Sequence, residues 1–165
     1  MRYAYYANLK PRQKATYRRS DEVVKLALPN RAALMALVVA LGKALATEER
    51  ASIERASQAL ADAVAAGFEV ARVRVKVLSR RPSTSESELH GLYEPAEGRA
   101  SPVIRVWMRT AAHKRVVAYR TFVRTLLHEL VHHLDYELLK LDDSFHTEGF
   151  FKRESSLFKQ LVPSG

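Results

Sequence analysis

The stretch that decides the fold reads Leu126-Leu127-His128-Glu129-Leu130-Val131-His132-His133-Leu134. On an α-helix, residues four apart differ by about 40° in azimuth and about 6 Å in height. His128 and His132 therefore project from one side and can grip one metal ion. Zinc accepts neutral imidazole nitrogens at about 2.0–2.1 Å, and a catalytic site keeps one position open for water. Glu129, beside the first histidine, can take a proton from that water. Measured from His128, the apolar residues Phe122, Val123, Leu126, Leu127, Leu130, Val131, Leu134 and Leu138 fill an arc of about 120° to 300°. That arc faces away from the histidines, giving a helix with an apolar back for the core and a metal-binding front. A random shuffle of this composition yields His-Glu-x-x-His about once in seventy chains, so the helical setting adds specificity that the spacing alone lacks.

Two histidines hold zinc poorly, and a catalytic site generally takes a third protein ligand. His146 is the choice: it lies fourteen residues past His132, where the chain can turn back, at the start of a helix expected over 145–161. On that helix His146, Phe150, Glu154, Leu157 and Leu161 share one face within about 80°. Glu154 is the rival ligand, two turns and about 12 Å further along the axis, so one of the pair binds the ion and the other supports. Asp135, one turn beyond His132, can accept an N–H from a liganding imidazole or form a surface salt bridge. His133 points to the other side of the helix and is excluded. His90 and His113 have no partner at ligand spacing. Tyr93, His113, Tyr119 and Tyr136 all qualify as donors to a developing oxyanion, and the sequence does not choose among them.

Upstream, Leu28-Pro29-Asn30 reads as a stop and a cap, with a buried helix over 31–46. Thr47 can cap a second helix, whose stripe of Ile53, Ala56, Leu60, Ala63 and Val64 ends at Gly67. The period then switches to two: Val73, Val75 and Val77 alternate with Arg72, Arg74 and Lys76, as in a strand with one wet, cationic face. That face suits phosphate, and it equally suits plain solvent. Residues 82–87 read as a loop, 89–93 and 103–108 as further strands joined through a turn at 95–98, and 119–140 as the metal helix. Residues 141–144 close that helix and can cap the next. The fold class is α+β: a small antiparallel sheet packed on the active-site helix, with additional N-terminal helices.

At 165 residues the chain suits one domain, expected over 31–165 behind a basic arm at 1–30. There is no cysteine, so any zinc must be held by His, Asp or Glu. Formal net charge is +9, and the pI is about 10.0. Residues 1–20 hold Arg2, Lys10, Arg12, Lys14, Arg18 and Arg19 without an acid, interleaved with Tyr3, Tyr5, Tyr6 and Tyr17. Such a stretch can bind DNA, its cations on phosphates and its rings on unpaired bases, or merely keep the protein soluble. Residues 1–6 lack the apolar core of a secretory signal, and the apolar run 32–41 is about half the length that crosses a bilayer. The expectation is a soluble, cytoplasmic protein with no membrane partner.

The two metal segments, His128-Glu129-Leu130-Val131-His132 and His146-Thr147-Glu148-Gly149-Phe150, resemble the catalytic core of SprT-like zinc metallopeptidases and related minimal zincins. The likeness covers residues 89–161. In that family a histidine opening the next helix is the third zinc ligand and an aromatic follows a turn later, which maps onto His146 and Phe150. Thr147 stands where the family usually has glycine, and the cysteine-rich zinc ribbon of many members is missing. The first departure keeps Glu154 in contention, as in gluzincin-type sites. The resemblance implies a zincin-like fold, an edge strand that receives an extended peptide, and, by analogy with members acting on DNA-bound proteins, an interest in the basic N-terminus.

The expectation is thus a Zn²⁺-dependent endopeptidase acting on protein or peptide substrates. His128, His132 and His146 are its metal ligands and Glu129 its general base, handing the proton on to the leaving amine. Two alternatives stand beside it: a nucleic-acid-binding module whose metal is structural or vestigial, and a latent peptidase whose N-terminal arm covers the cleft.

Overall fold

A computed structural model describes residues 2–80, 91–110 and 115–163. The expected loop at 82–87 and the two histidines His90 and His113 lie outside the described residues. After a 3-10 turn over Ala4–Asn8, the chain forms helices α1 (Pro11–Glu22), α2 (Arg31–Thr47) and α3 (Arg50–Gly67). Strands β1 (Arg74–Leu78), β2 (Gly91–Glu94) and β3 (Val103–Trp107) follow, then helices α4 (Tyr119–Glu137) and α5 (Glu148–Leu161). The α+β class is as read from the sequence.

The sheet corrects that reading. Its order is β1-β3-β2; β1 runs parallel to β3, from Arg74↔Val103 to Leu78↔Trp107, and only β2 is antiparallel, from Gly91↔Val106 to Glu94↔Val103. The sheet is mixed, not antiparallel. Alternation had marked the right face, since Val73, Val75 and Val77 are all buried. But alternation reports which side of a strand is covered, never which neighbour it takes or in which direction.

The two edges of this sheet are treated differently. On β1, Gln58 of α3 donates to the Val73 carbonyl (2.9 Å) and accepts from the Val75 N–H (2.7 Å), and Glu54 accepts from the Val77 N–H (3.0 Å). Helix side chains thereby satisfy an edge that would otherwise recruit another strand. Among the described residues the outer edge of β2 has no partner strand, and β2 packs against α4. The core is shared by the sheet and helices α2, α3, α4 and α5. Phe122, Val123, Leu126, Leu127, Leu130, Val131 and Leu134, the apolar back of α4, are all fully buried there.

Helix ends moved where the stop or cap differed from the expected one. α4 ends three residues early: Lys140 takes a left-handed conformation at φ 56, and Leu139 N–H and Leu141 N–H reach back to the carbonyls of Leu134 and Asp135, both at 3.0 Å. No glycine marks this stop. α5 starts late because Thr147, not a residue of 141–144, is its N-cap, its hydroxyl accepting from Phe150 N–H at 2.9 Å. His146 is therefore on the loop before α5. Asn30 precedes α2 but turns its amide to the Ala63 carbonyl (3.1 Å) instead of capping. Thr47 bonds back to the Ala44 carbonyl (2.6 Å), so α3 begins only at Arg50.

The basic N-terminal stretch folds back on the domain. Thr16, Tyr17 and Ser20 of α1 are buried against α5. The approach is close enough that a Cβ on Gly149 would lie 2.5 Å from the Ser20 carbonyl oxygen. Among the described residues no helix is long and apolar enough to cross a membrane.

Candidate metal centre

Helix α4 presents His128 and His132 one turn apart, and the α4–α5 loop brings His146 across to them. One nitrogen from each lies within 4.8 Å of the others. The Nε2 atoms of His132 and His146 are 3.0 Å apart. A tetrahedral zinc with nitrogens at about 2.0–2.1 Å spaces them by about 3.3 Å, so this pair is close to ligand separation already.

The far side of each helix histidine fixes which nitrogen is bare. Glu154 Oε1 lies 2.5 Å from His128 Nδ1, and a carboxylate can only accept there, so Nδ1 carries the hydrogen. Ser144 Oγ donates to Asp135 Oδ2 (2.7 Å) and lies 2.6 Å from His132 Nδ1. With its one hydrogen spent on Asp135, the hydroxyl must accept from His132. Both rings thus turn an unprotonated Nε2 toward the cluster, the tautomer that a metal requires. Asp135 supports His132 through Ser144 instead of directly, and it is no surface residue. Its other oxygen accepts from Arg153 at 3.0 Å, and neither side chain is exposed. Glu154 stands behind His128 while its second oxygen accepts from Arg124 at 2.8 Å.

Burial tunes the titrating groups. It pushes His132 down to about 3, helped by His128, His146 and Arg153, and it lowers His146 as well. Neutral imidazoles are ready ligands. Burial pushes Glu129 up to about 7; nearby Glu154 adds to the rise and His128 opposes it. The carboxylate, 5% exposed, has Oε1 3.9 Å from His128 Nε2. Burial would also raise Glu154, but the hydrogen bonds from His128 and Arg124 outweigh it and hold the group below the ordinary carboxylate value. One carboxylate is therefore poised to exchange a proton at neutral pH, and the other is held ionised.

The site opens into a cleft of about 640 Å³ between α4 and β2, lined by Gly91, Leu92, Tyr93 and Pro95 on one side and Thr121, Arg124 and Thr125 on the other. Gly91 permits the close approach: a Cβ there would meet Thr125 Cγ2 at 2.9 Å and Glu129 Cγ at 3.1 Å. Of the oxyanion candidates, Tyr93 and Tyr136 line the cleft. The Tyr93 hydroxyl lies 2.9 Å from His133 Nδ1, and the Tyr136 hydroxyl donates to Asp143 at 3.0 Å. Tyr119 packs on Gly42, away from the cleft. His133 is buried, with Nε2 2.6 Å from the Ala71 carbonyl, and takes no part in the cluster.

Arg124, Ser144 and Arg153 were missed from sequence. Arg124 precedes His128 by one turn and shares the helix front, a signal available to the same wheel that selected the histidines. Ser144 and Arg153 gave no signal, because their partners lie across tertiary contacts. The cationic face expected along 72–76 is partly neutralised, since Arg72, just before β1, pairs with Asp62 at 3.0 Å.

No protein-family model, curated protein or solved structure matches this chain.

Proposed function

We propose that this chain is a zinc-dependent endopeptidase with the zincin-like, SprT-like arrangement that its two metal segments resemble. The supporting observation is the convergence of His128, His132 and His146 beside Glu129, in a cleft walled by β2, whose outer edge has no partner strand among the described residues. An all-imidazole donor set, two of its rings backed by carboxylates directly or through a hydroxyl, fits zinc. When bound, zinc supplies Lewis-acid polarisation of a carbonyl and a more acidic water. Glu129 Oε accepts the proton of the attacking water and returns it to the amine nitrogen as the peptide C–N bond breaks. The outer edge of β2 takes an extended substrate by main-chain hydrogen bonds, with little demand on side chains. The test is Glu129→Gln on hydrolysis of an unfolded protein. Zinc stoichiometry is retained and hydrolysis drops by orders of magnitude; unchanged hydrolysis overturns the mechanism.

A second reading, DNA association, has its own observation. Arg2 and Lys14 lie 4.7 and 5.4 Å from the ring centre of Tyr6, and Arg18 donates to its hydroxyl at 2.6 Å. Among the described residues none of the three cations has a carboxylate partner. Three like charges around one ring offer a phosphate seat on the outer face of α1. The tyrosines contribute less than the sequence suggested, since Tyr5 and Tyr6 pack edge-on against buried Tyr17. Salt-dependent DNA binding that weakens in Lys14→Ala/Arg18→Ala supports a DNA-associated protease. DNA binding without hydrolysis of any unfolded protein favours a binding module with a structural metal, and no DNA binding removes the second reading.

A further inference from the structure

His146 is the ligand hardest to hold. It lies on a loop and is exposed, whereas His128 and His132 are fixed by α4 and half-buried. A loop residue must be ordered against its own backbone freedom, so a loop-borne ligand needs something behind it. Here that support comes from the opposite end of the chain. The Tyr5 hydroxyl donates to the His146 carbonyl at 3.0 Å. The Thr147 N–H closes the flanking turn on the Phe145 carbonyl at 2.9 Å, and Phe145 packs between the rings of Tyr5 and Tyr17 at 6.4 and 6.1 Å.

The next residues are tied to the same helix. Ser20 Oγ and Thr147 Oγ1 are 3.0 Å apart and buried, and Gly149 N–H donates to Asp21 at 2.9 Å. None of the residues lining the cleft comes from this N-terminal segment. The segment touches the ligand loop from behind and leaves the front of the site uncovered.

We infer that the N-terminal segment is a brace for the third metal ligand, with Tyr5 as the positioning residue that fixes the His146 backbone in binding register. This rests on the metal-site reading above and reverses the role expected of an inhibitory arm. Removing the segment weakens the site instead of releasing it.

The test is zinc affinity, read by competition with a chromophoric chelator in the full-length protein, for Tyr5→Phe, Tyr5→Ala and each in a His146→Ala background. Tyr5→Phe keeps the ring and removes one neutral hydrogen bond, so affinity falls about threefold to tenfold. Tyr5→Ala also frees Phe145, and the fall exceeds tenfold. In the His146→Ala background neither variant changes affinity further, because the group being positioned is gone. Cobalt substituted for zinc gives a second readout: the Tyr5→Ala visible spectrum moves toward that of His146→Ala. Unchanged affinity in both Tyr5 variants overturns the inference, as does an equal loss with and without His146, which marks a general loss of structure. Failure of the parent protein to take up zinc at all sinks the metal reading, and the brace with it.

Discussion

Glu154 Oε1 lies 2.5 Å from His128 Nδ1 while Oε2 accepts from Arg124 at 2.8 Å, so one carboxylate joins α4 to α5 behind the histidine cluster. Partners of this kind typically change metal affinity by about 10–100-fold when removed. Glu154→Gln should weaken zinc binding within that range and leave His128 a ligand. His146→Ala should weaken it more. The reverse ranking, measured by chelator competition, would exchange the roles of the two residues.

The pH dependence of the metal-free protein carries a signature of Glu129. Its carboxyl is raised by burial from 4.5 to about 7. Because the folded value exceeds the unfolded one, the protonated group contributes stability that is fully present below about pH 4.5 and lost as pH rises through about 7. Glutamine never ionises. In chelator, Glu129→Gln should therefore be more stable than the parent at pH 8, by up to about 3 kcal/mol, with the gap closing toward pH 4.5. Urea titrations across this range check it, and a gap independent of pH counts against the buried carboxyl. Zinc should narrow the gap, since a nearby cation favours the ionised form.

Arg153 and Asp135 form an ion pair with neither side chain exposed, and Arg153 also donates to the Ser20 and Val23 carbonyls. Removing one partner leaves a buried charge uncompensated, at about 3–5 kcal/mol. Arg153→Met should cost that much in denaturant stability, and Arg153→Met/Asp135→Leu clearly less. A single variant within 1 kcal/mol of the parent rules out an anchoring role.

Gly91 is set by contact, not by backbone conformation: a Cβ there has Thr125 Cγ2 at 2.9 Å, Glu129 Cγ at 3.1 Å and the Arg105 carbonyl at 3.3 Å. Gly91→Ala should destabilise by about 1–3 kcal/mol through overpacking and should lower hydrolysis beyond any loss of folded protein, because Glu129 is one of the groups displaced. Thermal denaturation beside turnover of folded enzyme separates the two effects.

What the sequence disclosed follows from what a local pattern encodes. The front and back of α4 were legible because helical geometry converts spacing into direction without help from the rest of the chain. That His146 joins the cluster was legible only as a distance along the chain. Its place on a loop was not, since the Thr147 cap and the left-handed stop at Lys140 carry no glycine or proline to announce them. The parallel pairing of β1 with β3 was hidden for a related reason: register belongs to two segments at once. The burial of Tyr17 and Ser20 in the basic N-terminus was not legible, because charge density says nothing of what a segment packs against.

The strand order has a bearing on how the molecule is made. β3 fills the middle of the sheet yet leaves the ribosome after both strands it joins. The edge of β1 away from β3 is held by side chains of α3, Gln58 and Glu54 accepting from its N–H groups and Arg50 donating to the Val77 carbonyl, so β3 and its hairpin partner β2 take the other side. The histidine-bearing helix follows later in the chain and packs on β2 and β3. An ion held by all three histidines would require both that helix and the loop carrying His146 to be in place first.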